Sequence, residues 1–256
     1  MNSRIATIAR FTLLEALRTR LAALIGTALA VLLAASFFVA EIAVAESGRM
    51  QAGFYAAGVR LGCVFIAATY VLVSVTREFN DKGLEVVLAL DLPRWHYLLG
   101  KLAGFLAIAA LVAAGAAVPL AFLAPAPAAL QWGFSLFLEL AIVVALALFC
   151  VITFSQLTPA ASFVLGFYVL ARALTAIRLM SANPVAGADT WSHQAIRFVV
   201  ETLALVMPAL DAWTQTAWLV NEQAPWTALA RLAAQSALYV ALLAAAAMFD
   251  FHRKNL

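Results

Sequence analysis

Eight charged residues fall within the twenty-five positions from Arg77 to Lys101: Arg77, Glu78, Asp81, Lys82, Glu85, Asp91, Arg94 and Lys101. Long uncharged apolar runs flank this island on both sides. A mixed-charge cluster of this kind is either a solvated loop or a docking surface for another charged body. Bond-making chemistry has little support. His96, His193 and His252 are far apart, and the chain has no HExxH, no Cys/His cluster and no GxSxG. Gly100–Lys101 lacks the earlier glycine and the following Ser or Thr of a phosphate-binding GxxxxGK[ST] loop. No catalytic, cofactor-binding or metal-ligating residue is expected, and the chain does not read as an enzyme. Cys63 and Cys150 both fall in apolar runs, which argues against a disulfide.

The elements that carry the island are set by composition. The chain is 66% hydrophobic and only 11% charged, with mean hydropathy +0.99. A soluble domain of this length cannot hide so much apolar surface, so lipid must be part of the solvent. Backbone groups in a bilayer must satisfy each other, which leaves helices or a closed barrel. The apolar runs are continuous, near 20 residues and not alternating, so an all-α polytopic membrane protein is expected. Six spans are read at 20–42, 54–76, 97–123, 132–155, 159–180 and 228–249 within a single permease-like domain, 1–256. Pro125 and Pro127 end the third span, and Ser155–Pro159 makes a hairpin after the fourth.

Lysine and arginine fix the orientation. With both termini in the cytoplasm, ten of the sixteen fall inside: Arg4, Arg10, Arg18, Arg20, Arg77, Lys82, Arg94, Lys101, Arg253 and Lys254. Arg49, Arg60, Arg172, Arg178, Arg197 and Arg231 fall outside or within spans. The segment 77–96 is then cytoplasmic. The sequence pI near 9.1 reflects these inner arginines, with no sign of a nucleic-acid groove.

Residues 4–18 read as an amphipathic interfacial helix. Ile5, Ile8, Ala9, Leu13, Ala16 and Leu17 share one arc; Arg4, Arg10 and Arg18 point the other way, toward anionic headgroups. Within the island, Glu78, Asp81, Lys82 and Glu85 are spaced to share one helix face, with Gly83 mid-helix and Pro93 at its end. Glu139 and Arg172 lie inside spans four and five, at nearly equal distances from the hairpin near Gln156. That symmetry predicts a Glu139–Arg172 contact facing the bundle interior, either as a lock between helices or as a polar lining or gate. Arg60 and Arg178 are expected to reach the outer interface. The outer segment 181–227 holds four of the six tryptophans, which suggests short helices on or in the outer leaflet, with the rings in the headgroup layer or in a lid.

The island resembles the loop after the second span of ABC-2 type transporter permeases. Glu78, Gly83, Glu85, Arg94 and Leu98–Leu99–Gly100–Lys101 match that pattern. The chain departs from it at Asp91, where the family usually has proline, and at Leu84, where it usually has threonine. The family also has an interfacial helix before span one, six spans, cytoplasmic termini and a long outer segment. Met207–Trp213 is similar to a Pro-centred outer stretch of these permeases.

The resemblance implies a half-transporter in the inner membrane. A second permease copy or a homologous permease would complete the pathway. Two cytoplasmic ATPase subunits would bind ATP and Mg, since this chain binds neither. Glu78, Asp81, Lys82, Gly83, Glu85 and Arg94 would form the ATPase-coupling element at 78–92, with Arg4, Arg10 and Arg18 on the connecting helix beside it. A periplasmic or accessory subunit is a further possible partner. Two other readings stay open. One is an ATPase-coupled scaffold or mechanical transmitter that moves no solute. The other is an ion-coupled carrier using Glu139, although the chain shows no internal repeat.

Overall fold

Alanine and leucine dominate the apolar runs, and both are strong helix formers. A computed structural model describes residues 2–43, 46–81, 93–182, 191–220 and 224–253, and nearly all of them are helical. The helices are α1 (Asn2–Arg18), α2 (Leu21–Ile42), α3 (Ser47–Asn80), α4 (Arg94–Leu123), α5 (Ala126–Phe154), α6 (Leu157–Ala182), α7 (Trp191–Val206), α8 (Ala217–Val220) and α9 (Trp226–Arg253). A short 3₁₀ turn covers Leu210–Ala212. Among the described residues, six helices are long and apolar enough to cross a bilayer: α2 to α6 and α9. The protein is a multi-pass, all-α membrane protein. Each expected span lies inside one of these helices or within a residue of its ends.

The breaks follow local chemistry. Pro127 sits in the first turn of α5, where its missing N–H costs nothing. Ser155 adopts a left-handed φ of 57°, which stops α5 and lets α6 turn back two residues later. Pro119 lies inside α4.

One helix forms the axis. α5 is buried on nearly every side, packed by α3, α4, α6 and α9. Ala128, Trp132, Leu136, Leu140, Ala147 and Val151 on it are almost inaccessible. The outer helices leave apolar side chains uncovered, among them Phe38 on α2, Phe122 on α4 and Leu242 on α9. In water this would be an aggregation surface; in a bilayer it is the lipid face.

The first helix does not leave its apolar arc free. α1 runs along the first half of α4 in parallel register, and two glycines make this possible. A Cβ on Gly100 would stand 2.7 Å from Ile8 Cβ and 3.3 Å from the Ile5 carbonyl. On Gly104 it would stand 2.6 Å from Thr12 Cβ and 3.0 Å from the Ala9 carbonyl. Thr12 and Ala16 are buried in this seam, whereas Arg4, Arg10 and Arg18 are exposed. The arc Ile5, Ile8, Ala9, Thr12, Ala16 therefore packs on protein, and Phe11 and Leu17 face outward.

The start of α1 and the end of α9 lie at the same end of the bundle, hereafter the terminal end: Arg94 at the start of α4 touches the end of α9, and α1 begins near Gly100. The other is the far end.

Gly104→Ala should lower stability by about 1–3 kcal/mol, because Ala9 backbone cannot move aside. Gly115→Ala, with nothing within 4 Å of the new methyl, should be neutral or stabilise by up to about 1 kcal/mol. Denaturant unfolding in mild detergent, read by tryptophan fluorescence, measures both. Equal effects would contradict the close α1–α4 seam.

Candidate functional site

Charges collect in two places along the bundle. The first lies halfway down. Glu139 is on the central helix α5 and has no exposed surface. Arg172 projects from α6, and its Nη1 stands 3.4 Å from Glu139 Oε1. The structure thus brings together the two residues that the hairpin symmetry pairs. Tyr168, one turn before Arg172, donates its hydroxyl to the same Glu139 oxygen at 2.9 Å.

The 3.4 Å contact is long for a hydrogen bond. Arg172 makes a shorter one elsewhere. The same nitrogen donates to the Leu210 carbonyl at 2.6 Å and to the Trp213 carbonyl at 3.2 Å. Arg60 on α3 donates to the Thr214 carbonyl at 3.1 Å. Both arginines therefore bind the backbone of 207–216, the irregular stretch between α7 and α8. Arg60 is not turned out to the interface as expected; it points inward because the segment brings it an acceptor. Arg178 is exposed.

That segment is deep. At 1.5 Å per residue, Arg60 and Glu139 lie about 20 Å from the far-end starts of α3 and α5. Arg172 lies about 15 Å from the far-end terminus of α6. Irregular backbone at such depth survives only when protein satisfies its polar groups. Here the arginines satisfy three carbonyls, and side chains close the rest. Leu210, Trp213 and Thr214 are buried. Trp213 donates its indole N–H to Ser236 Oγ on α9 at 2.8 Å. Gln131 on α5 donates to the Ala224 carbonyl at 3.1 Å, where the chain approaches α9. Trp213 thus departs from the expected headgroup belt, because a buried serine completes its hydrogen bond. Trp191 and Trp226 remain exposed.

The second cluster is at the terminal end. Lys101 on α4 is only 5% exposed. It is paired with Glu78 in the last turn of α3, and Glu15 of α1 stands 3.9 Å away. Tyr97 donates its hydroxyl to Glu78 as well. One lysine thus ties three helices, which offsets the cost of its burial. Nearby, Arg94 donates to the Phe251 carbonyl at 2.9 Å and to the His252 carbonyl at 3.4 Å, capping α9. Thr153 at the end of α5 donates to Asp250 on α9 at 2.6 Å.

These contacts bracket the island. Glu78 belongs to α3, and Asp81 forms the turn beyond it, paired with Arg77 at 3.5 Å. Lys82, Gly83 and Glu85, with most of the expected 78–92 helix, lie outside the described residues. Glu78 and Lys101 flank that segment in the sequence, and their contact joins α3 to α4. Sequence reading placed Glu78, Arg94 and Lys101 in the island but gave none of them a partner, and it gave Tyr97 and Glu15 no part in the cluster. Among the described residues no group of three His, Cys, Asp or Glu side chains could hold a metal ion. Cys63 and Cys150 are free and buried.

No family model matches the chain, and no match is found among curated proteins.

A double-mutant cycle tests the buried cluster. Glu139→Ala should destabilise by about 3–5 kcal/mol, since it leaves Arg172 without a counter-charge. Adding Arg172→Ala should then cost less than the sum of the two single changes, with about 1–3 kcal/mol of coupling. Unfolding midpoints in mixed detergent micelles measure it. Strict additivity would mean the two side chains do not interact.

Proposed function

We propose that this chain is the membrane-spanning subunit of an ATP-driven export system of the ABC-2 kind. Both termini lie in the cytoplasm, and the chain crosses the inner membrane six times. Two copies, or this chain and a homologous permease, enclose the translocation path. Two separate cytoplasmic ATPase subunits bind ATP and Mg and dock on the segment 78–92.

The observation that supports this reading most is the Glu78–Lys101 tie, with Glu15 and Tyr97 around it. A docking element is useful only if its displacement reaches the spans. Both ends of 78–92 are fixed to helices: to α3 through Glu78 and to α4 through Lys101 and Arg94. The Lys101–Glu15 contact adds α1, and Arg94 adds the end of α9. A push on the segment is thus shared by four helices before it reaches the bundle. The sixteen cations are biased toward this end, in keeping with a cytoplasmic face. The phosphate-binding loop that ATP chemistry needs is missing from the sequence, so that chemistry falls to a partner.

Affinity purification of the full chain from its native host in mild detergent tests the proposal. It should recover a nucleotide-hydrolysing ATPase in stoichiometric amount. Glu85→Arg should abolish that recovery while leaving the thermal midpoint of the chain unchanged. Recovery of the chain alone in every mild detergent would count against the proposal.

A further inference from the structure

Beside the α1–α2 turn, an open groove of about 370 Å³ runs between that turn and α3. Thr19, Arg20, Ser74 and Arg77 line one end of it; Leu24 and Phe65 line the other. We propose that this groove holds one anionic phospholipid, its phosphodiester headgroup between Arg20 and Arg77 and an acyl chain along Leu24 and Phe65.

Depth is the first support. α2 has 22 residues, about 33 Å of helix, which matches a hydrocarbon layer of about 30 Å. Arg20 immediately precedes it, so it stands where headgroups lie. Arg77 is seven residues beyond Tyr70, which shares a small apolar contact site with Leu21 at the start of α2. Arg20 therefore marks the headgroup layer of the leaflet at the terminal end, and Arg77, about 10 Å farther out along α3, lines the same groove with its long side chain. With the termini in the cytoplasm, that leaflet carries the anionic lipids.

Polar groups on the groove wall are the second support. Ser74 is only 6% exposed, and the Tyr70 hydroxyl, one turn away on the same wall, lies within reach of Ser74 and Thr19. A phosphate oxygen or its bound water beside them would add an acceptor to these hydroxyls. The first turn of α2 also lacks a side-chain cap, and a helix N-terminus favours an anion.

The carboxylates nearby do not block the site. Glu15 lines the groove but stands 3.9 Å from Lys101. Asp81 pairs with Arg77 at 3.5 Å through exposed side chains, a weak contact that a phosphate can share. The apolar end settles the class of occupant. Leu24, Phe65 and Val73 are 53%, 57% and 45% exposed and open sideways among lipid-facing residues. A soluble protein cannot reach there, but an acyl chain lies there already.

Native mass spectrometry of the full, delipidated chain tests this, with phosphatidylglycerol, phosphatidylcholine and inorganic phosphate as probes. One phosphatidylglycerol should be retained per chain, roughly tenfold more tightly than phosphatidylcholine. Joint replacement R20Q/R77Q should weaken it about tenfold. L24W should also weaken it, by filling the apolar arm with both arginines intact. R4Q/R10Q, on the exposed face of α1, should retain lipid like the unaltered chain. Four results would overturn the proposal: equal retention of the two lipids, competition by inorganic phosphate at equal concentration, equal loss in R4Q/R10Q and R20Q/R77Q, or loss of a dimer in R20Q/R77Q with lipid retention unchanged.

Discussion

A carboxylate with no exposed surface sits in the middle of the central helix, and much of the far half of the molecule answers to it. Burying Glu139 on α5 is costly unless a cation and hydrogen bonds accompany it. Arg172 and Tyr168 on α6 provide them. An arginine, however, brings more donors than one carboxylate oxygen can accept. The surplus needs acceptors at the same depth, where helical carbonyls already carry their ladder bonds. The irregular segment 207–216 supplies them with the carbonyls of Leu210 and Trp213. Each party thus solves the other's problem: the arginines satisfy an unpaired backbone, and the backbone satisfies the arginines. Arg60 joins for the same reason, through Thr214.

The terminal end repeats this logic with side chains alone. Lys101 is nearly as buried as the core and is held by Glu78, with Glu15 close by. The glycines at 100 and 104 let α1 approach closely enough for Glu15 to take part. α5 links the two clusters. Glu139 is fourteen residues from Thr153, about 20 Å along the helix, and Thr153 is bonded to Asp250 on α9. One rigid helix, buried on almost every side, thus connects the polar knot in the bundle to its terminal end.

Much of this was legible in the sequence. Apolar runs and prolines gave the six crossings. Equal distance from the hairpin at Gln156 paired Glu139 with Arg172, because antiparallel neighbours keep equal depth. The partners of Arg60 and the deep course of 207–216 were not legible. Their acceptors are backbone carbonyls, which every residue carries alike, so no residue type announces them. Trp213 misled for a related reason: an amphipathic ring suits a headgroup layer, and its actual partner, Ser236, lies in a different helix. The α1–α4 seam did leave a trace. Gly100 and Gly104 are four residues apart, the small-xxx-small spacing of close helix pairs. Reading Gly100–Lys101 as a fragment of a nucleotide loop and as part of the permease pattern passed over it.

The central claim is that two arginines hold the irregular segment 207–216 inside the bundle, with Glu139 balancing their charge. Hydrogen–deuterium exchange of the full chain in lipid nanodiscs tests it most directly. Amides of 207–216 should exchange as slowly as those of α5 in the unaltered protein. In the Arg60→Ala/Arg172→Ala protein they should exchange rapidly, while the terminal half of α5 stays protected. Rapid exchange of 207–216 in the unaltered protein, at the rate of an exposed loop, would contradict the account.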